Sequence, residues 1–259
     1  MKLSRYTQNF YESVSARADL ASKAIFLIFG DLFEVASIKD IGCGNGTWLR
    51  ESLNNSLIKS RIGYDLSSAI ESSISFNNEG IVFRETDLEL KNCDFVFTDL
   101  TLCLEVAEHL TSESAIRLVE SICETSNYVI FSAATPGQGG FNHINEREFK
   151  YWISLFNSHE YIAFDIFREE IQSQTRIPTF YRNNIFLFIK TQEFNRLKEV
   201  NFIKFSKLVP LSLNDQIADY RNRIQVIQAF IVSKLNFKVV NRMSKIKFIV
   251  LLILSKIKL

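Results

Sequence analysis

The feature that narrows the fold most is a β-prone run at residues 35–41 that passes straight into a glycine loop and then a helical pattern. The loop reads Asp40-Ile41-Gly42-Cys43-Gly44-Asn45-Gly46. Three glycines two apart permit a tight turn and let a ligand approach the backbone, because no Cβ stands in the way. The spacing is GxGxG followed by Thr47, whereas the dinucleotide fingerprint needs GxGxxG; no GK[ST] follows, so a phosphate-cradling P-loop is excluded. Further short β-prone runs occur at 60–65, 81–85, 100–104, 127–132, 162–167 and 185–190. Between them, 45–57, 67–75 and 112–123 carry the apolar spacing of helices, and 1–30 predicts one or two amphipathic helices ahead of the sheet. Seven strands alternating with helices predict an α/β fold, an open and mostly parallel sheet with helices on both faces. Ligands of such sheets bind beyond the carboxyl ends of the strands.

The strand ends support a nucleoside site. The second run ends in Gly63-Tyr64-Asp65-Leu66, and an acid there can accept two hydrogen bonds from a ribose diol. The third leads to Thr86-Asp87-Leu88, a carboxylate for an exocyclic amine beside an apolar residue for the face of a purine. The fourth leads to Leu104-Glu105-Val106-Ala107-Glu108-His109-Leu110. Any one of these acids alone reads as a helix N-cap; a contact at four successive strand ends reads as a binding site.

Charge divides the chain. Its 259 residues hold 30 Lys+Arg against 29 Asp+Glu, a net +1. Residues 1–193 carry 17 basic and 26 acidic side chains, and residues 194–259 carry 13 and 3. That split predicts an acidic body at 1–193 and a basic helical extension at 194–259. Ile217, Tyr220, Ile224, Ile227 and Ile231 form one apolar stripe at helical spacing. Farther on, Phe248 to Leu254 is apolar between Lys247 and Lys256, and too short to cross a bilayer. Such an element suits peripheral contact with the inner face of a membrane, or docking on the acidic body or a second copy of the chain, through residues 212–259. Nucleic acid is disfavoured, because the basic residues are not interleaved with aromatics as a stacking surface requires. Cys43, Cys93, Cys103 and Cys123 lie far apart with no CxxC pair, which excludes a zinc ribbon, and the first residues lack an apolar signal run. Reduced thiols in a cytoplasmic protein are the expectation.

At the glycine loop and strand ends the sequence resembles the class I S-adenosylmethionine-dependent methyltransferases, over about residues 8–192. The resemblance implies a Rossmann-like sheet with one antiparallel edge strand and S-adenosylmethionine as cofactor. It places Asp40, Gly42, Cys43, Gly44, Asp65, Leu66, Asp87, Leu88 and Glu105 around that cofactor. A later stretch, Phe131-Ser-Ala-Ala-Thr-Pro136-Gly-Gln-Gly-Gly140, His143-Ile-Asn145-Glu, Tyr151-Trp152 and Tyr181-Arg182-Asn183-Asn184, resembles a bacterial-type branch associated with glycan or secondary-metabolite modification. Relatives usually end that last motif as Trp-Tyr-Arg-Gln-Asn, and here Phe180 and Asn183 replace two of its members.

Methyl transfer from a sulfonium is an in-line displacement that depends on positioning, and a hydroxyl acceptor benefits from a base. Histidine is the side chain whose ordinary pKa suits that role near neutral pH. His143 follows the mobile glycines of 136–140 and His109 follows the fourth strand, so both are candidate catalytic residues; His159 reads as a solvated turn. Gln138 in the loop, and Arg182 with Asn184 on one face of an extended segment, are candidate acceptor contacts. Tyr151 and Trp152 open a helix and read as core. No convincing metal-binding carboxylate pair stands out, so no metal is expected. The reading is methyl transfer to a hydroxyl of a small-molecule or glycan acceptor. The alternatives are O-methylation of a quinone or lipid at the membrane surface, and an inactive methyltransferase-fold binding subunit. Retention of Asp40, Gly42, Gly44, Asp65 and Asp87 argues against the last.

Overall fold

A computed structural model of the protein describes residues 8–73, 80–90 and 93–211. The chain divides into two compact units, Met1–Leu211 and Ser212–Leu259. The second, with the apolar stripe and the 248–254 run expected to meet a membrane or a partner, lies outside the described residues.

Seven strands form one sheet: β1 (Ser37–Ile41), β2 (Ser60–Asp65), β3 (Val82–Glu85), β4 (Thr98–Leu104), β5 (Ser126–Ser132), β6 (Tyr161–Phe164) and β7 (Phe186–Lys190), in the order β3-β2-β1-β4-β5-β7-β6. Each lies where a β-prone run places it, within three residues at either end. From β3 to β5 all pairings are parallel. The one antiparallel strand, β7, is not the edge strand that the resemblance implies: it pairs antiparallel with both β5 and β6, and β6 takes the edge. The reason is apolar demand. β7 reads Phe-Leu-Phe-Ile-Lys and is buried on both faces, so it gains most from a neighbour on each side. Along the outer side of β6, Pro210 bridges to Phe164 and the Leu211 amide donates to the Ala163 carbonyl at 2.9 Å.

Helices cover both faces: α1 (Gln8–Leu32), α2 (Thr47–Glu51), α3 (Ser67–Ser73), α4 (Ser112–Glu124), α5 (Phe149–Ser158), α6 (Arg168–Ile171), α7 (Thr179–Asn184), α8 (Thr191–Val200) and α9 (Phe202–Phe205). The helix expected over 45–57 is shorter: α2 tightens into a 3-10 turn at Ser52–Asn54 and stops where Asn55 turns extended. α4 shows local causes well. The Thr111 hydroxyl caps it by accepting from the Ser114 amide, and Ala115, Leu118, Val119 and Ile122 form its buried face.

Successive strand residues point to opposite faces and so feed two cores. Leu100, Leu102, Tyr128, Ile130, Leu187 and Ile189 pack with Ala21, Ile25 and Phe29 of α1. Cys103, Val129, Phe131 and Phe188 pack with α4 and with Trp152, Ile153 and Phe156 of α5. Residues 194–211, assigned to the basic extension by charge, belong by packing to this body, because Phe194 and Phe205 enter the first core.

Lys39 is the most deeply buried basic residue among those described. Lys39 of β1 is 0 % exposed, and its Nζ donates to the Val96 carbonyl (3.1 Å), the Thr125 carbonyl (2.6 Å) and the Thr125 hydroxyl (2.8 Å). Thr125 caps the C-terminus of α4, where carbonyl oxygens favour a positive charge. Burial lowers the Lys39 pKa to about 7. All four cysteines are free thiols, and Cys43, Cys103 and Cys123 are buried. No helix among the described residues is long and apolar enough to cross a membrane.

Candidate functional site

The loop between β1 and α2 is built on three left-handed glycines, with φ of 73° at Gly42, 54° at Gly44 and 83° at Gly46. Space demands glycine as much as conformation does. A Cβ on Gly42 would lie 2.4 Å from Cγ2 of Val106, and one on Gly46 would lie 2.8 Å from the Phe83 ring. The loop is stitched to the end of β2: the Gly42 and Cys43 amides both donate to the Tyr64 carbonyl, at 2.8 and 3.2 Å. The Asp65 carboxylate completes this frame, with Oδ2 accepting from the Gly44 amide and Oδ1 from the Leu66 amide, both at 2.7 Å. Each oxygen keeps a second lone pair for a ligand hydroxyl.

Burial raises the Asp65 pKa to about 6 against the pull of its two amide donors. Asp40 is buried at the end of β1 with Oδ2 unpartnered, and burial together with the Asp65 charge pushes its carboxyl well up. Cys43 packs inward among apolar neighbours, and Leu66 stands out beside Asp65. Asp87 follows β3, exposed, with Oδ1 accepting from the Glu89 amide at 3.0 Å, while Leu88 leans on the second core. Thus the residues expected around a nucleoside lie along the carboxyl ends of β1, β2 and β3.

A second polar group gathers after β4 and β5. Glu105 adopts φ 57°, a left-handed backbone unusual outside glycine, directly after β4. A relay of amides holds its carboxylate: Asn184 Nδ2 donates to Gln138 Oε1 at 2.7 Å, and Gln138 Nε2 donates to Glu105 Oε2 at 3.2 Å. Gln138 and Asn184 therefore meet as expected, and β7's direction explains it. Because β7 runs antiparallel, Asn184, two residues before it, lies at the end where β5 finishes.

Glu108 is fully buried beside them, and both its carboxylate oxygens lack a hydrogen-bond partner. Burial, then the neighbouring Glu105 charge, drives its pKa well up. His109 and His143 meet edge to face with ring centres 4.8 Å apart. His109 Nδ1 lies 3.3 Å from the Asn142 carbonyl, and His143 Nδ1 lies 3.1 Å from Glu146 Oε1. Burial, then His143, lowers the His109 pKa. Glycine at 140 makes room for this pair, since a Cβ there would fall 2.3 Å from His143 Nε2.

Glu146 organises the loop and was not singled out from the sequence. It accepts from the Gly137 and Gly139 amides, both at 2.8 Å, as well as pairing with His143. Burial works to raise its pKa, but these partners, the Gly137 amide first, hold it below the usual range. Its signal was the acid three residues after His143. Asn145 is structural: its side chain donates to the Ala107 carbonyl (3.2 Å) and accepts from Arg147 (2.8 Å).

The expectation for Arg182 fails. Residues 179–184 form α7, not an extended segment, so positions 182 and 184 do not share a face. The Arg182 guanidinium donates to the Ile177 and Gln172 carbonyls, both at 2.9 Å, and to the Thr179 hydroxyl at 3.2 Å. It ties the 172–179 turn to α7. Trp152 is core, and Tyr151 packs against it. His159 caps the C-terminus of α5 just before β6, at the opposite end of the sheet from the site. A hollow lined by Asn127, Lys190 and Arg196 also lies at that far end.

No family model matches the chain. No curated protein matches it in sequence. Solved structures do match in fold. Human N-acetylserotonin methyltransferase in complex with SAM superposes with a TM-score of 0.53 at 16% identity, over 71% of this chain and 55% of that one. An O-methyltransferase family protein from Burkholderia thailandensis gives 0.54 at 10% identity, over 71% and 59%. The chain thus spans little more than half the length of these two. The methyltransferase component of a complex with the Haloferax volcanii Trm112 activator gives 0.51 at 11% identity, over 70% of this chain and 97% of that one. The described residues have the Rossmann-like fold of methyltransferases, a seven-stranded mixed sheet between helices.

Proposed function

We propose that the protein transfers a methyl group from S-adenosylmethionine to a hydroxyl of a small-molecule or glycan acceptor, acting in the cytoplasm. The observation that carries this reading is the carboxylate of Asp65. Both its oxygens are fixed by the Gly44 and Leu66 amides, and both have lone pairs left for a ribose diol. Gly42 and Gly44 give the methionine part close access to backbone, Leu66 and Leu88 offer apolar surface to the adenine, and Asp87 accepts from its amine. Asp40, Cys43 and Glu105 complete the wall on the side of the methionine.

The cluster after β4 and β5 is the part of the site left for the acceptor. Bound at the nucleoside site, S-adenosylmethionine would supply a sulfonium methyl for in-line transfer: as the acceptor oxygen bonded to the methyl carbon, the carbon–sulfur pair would stay on sulfur, giving neutral S-adenosylhomocysteine. The hydroxyl proton passes to the Glu105–Glu108–His109–His143 cluster. His143, oriented through Nδ1 by Glu146, is the member best arranged to receive it, with His109 second. Gln138 and Asn184 line the approach. Calorimetric titration with S-adenosylmethionine and S-adenosylhomocysteine tests the reading: one site of micromolar affinity or better is expected, and no heat from either ligand removes it. A tritiated-methyl assay on glycan, lipid and small-molecule fractions then identifies the acceptor.

A further inference from the structure

We propose that Glu108, His109 and His143 form a site for one divalent transition-metal cation of the manganese, cobalt or zinc type, which receives the acceptor hydroxyl. The inference deepens the proposed function and rests on it for the role of the ion, though not for its binding.

One ligating atom from each of the three residues lies within 4.8 Å of the other two. That span suits donors relaxed around an ion's position, since bonds of about 2.0–2.2 Å place ligand atoms roughly 3–4 Å apart. Glu108 supplies the second observation. Its carboxylate is wholly buried, and neither oxygen makes a hydrogen bond of ordinary geometry. A carboxylate taken from water without partners is costly, and buried charges are ordinarily paired or bound to metal. A second carboxylate, Glu105, lies beside it with Oε1 also buried and unpartnered. Two carboxyl groups thus crowd together out of water, and a cation beside them would let both stay ionised.

The histidines are set as metal ligands are usually set. A ligating imidazole gives its other ring N–H to a carboxylate or a backbone carbonyl, which fixes the ring and the tautomer. His143 has Glu146 at Nδ1 and His109 has the Asn142 carbonyl at Nδ1, and these contacts hold both rings in place. Glu146 is itself held by two loop amides, so the support reaches a further layer. Two imidazoles with one carboxylate favour manganese, cobalt or zinc over magnesium or calcium, which prefer all-oxygen sites.

Three protein ligands leave the ion's other positions to water or to the acceptor. A coordinated hydroxyl loses its proton more readily. With the ion bound, His109 and His143 hold it instead of serving as bases, and Glu105, the remaining carboxylate of the cluster, takes the proton in their place. The oxygen attacks the methyl carbon and the carbon–sulfur pair departs with sulfur, as above.

The test uses the full chain, stripped with EDTA and desalted, without S-adenosylmethionine. Titration with CoCl₂ is expected to give one equivalent of binding with visible ligand-field bands, and MnCl₂ or ZnCl₂ should compete while MgCl₂ at the same concentration should not. Glu108→Gln and His143→Asn should each weaken binding at least tenfold. His143 sits in the loop after β5 with its side chain 11 % exposed, outside both cores, so its variant remains informative if Glu108→Gln fails to fold. The proposal is overturned if the wild-type chain takes up none of the three ions, or if His143→Asn binds cobalt as the wild type does. S-adenosylmethionine titration on the same sample separates the failures: cofactor binding without metal uptake sinks only the metal site, and metal uptake without cofactor binding sinks only the methyltransferase reading.

Discussion

Asp65 Oδ2 accepts the Gly44 amide at 2.7 Å, so the carboxylate expected to read a ligand also holds the loop that binds it. Asp65→Asn places an amide N–H₂ against one of two backbone donors. S-adenosylmethionine affinity should fall at least tenfold, about 1.4 kcal/mol, with the melting curve retained. The same carboxyl predicts a pH dependence. Its pKa is raised to about 6 in the free protein, and a protonated carboxyl accepts less well from a diol. Cofactor affinity should therefore hold above pH 7 and weaken as pH falls through 6. Calorimetry across pH 5 to 8 checks this, and a flat profile would exclude Asp65 as the diol acceptor.

Gly42 faces Val106 with no room for a methyl group. Gly42→Ala forces a side chain into a left-handed backbone and a 2.4 Å contact, and should cost about 2–4 kcal/mol in denaturant unfolding. Adding Val106→Ala should recover the steric part but not the conformational part. An unchanged denaturation midpoint in the single variant contradicts this account.

Lys39 makes stability depend on alkaline pH. Its folded pKa, about 7, lies below the ordinary lysine value, so between those limits the unfolded chain binds more protons. Stability contributed by this group should climb as pH rises from about 7 toward 10. Lys39→Met should lack that slope. Urea midpoints for both proteins at pH 7, 8 and 9 make the comparison, and parallel lines would refute the assignment.

Glu146 clamps the Gly137 and Gly139 amides and orients His143. Glu146→Ala should raise the acceptor KM and lower kcat while leaving S-adenosylmethionine affinity within twofold. It should also speed proteolysis within residues 136–143. Wild-type kinetics in this variant would reduce the clamp to a packing detail.

Arg182 is assigned to structure rather than to the acceptor. Arg182→Met abandons two carbonyls and a hydroxyl, and should cost about 1–3 kcal/mol of stability. Acceptor KM at a temperature where the variant is folded should not change, and a large rise would restore Arg182 to the binding site.

The strands were legible because apolar runs bounded by turn residues report burial directly, and the loop glycines because φ and space leave no substitute at 42 and 46. The ends of β1 to β3 followed from the same register. What escaped depended on contacts distant in sequence. Residues 179–184 lack a strong period of either kind, and only packing selects a helix there, which separates Arg182 from Asn184. Glu146 looked like any loop acid until the chain folded back on Gly137 and Gly139. Glu108 carries no mark of its own in the sequence, because burial of a carboxylate, and the orphaning of both its oxygens, is invisible without neighbours. The place of β7 was hidden for a related reason: direction leaves no mark on composition.

The short pairing of Pro210 and Leu211 along β6 makes the two ends of the sheet unlike. On that side the protein supplies its own terminating strip, and proline carries no N–H to recruit another strand. On the other side β3 is four residues long and largely exposed. Among the described residues the fold therefore offers one growth point for edge-to-edge polymerisation, whereas a chain cut after Lys207 would offer two.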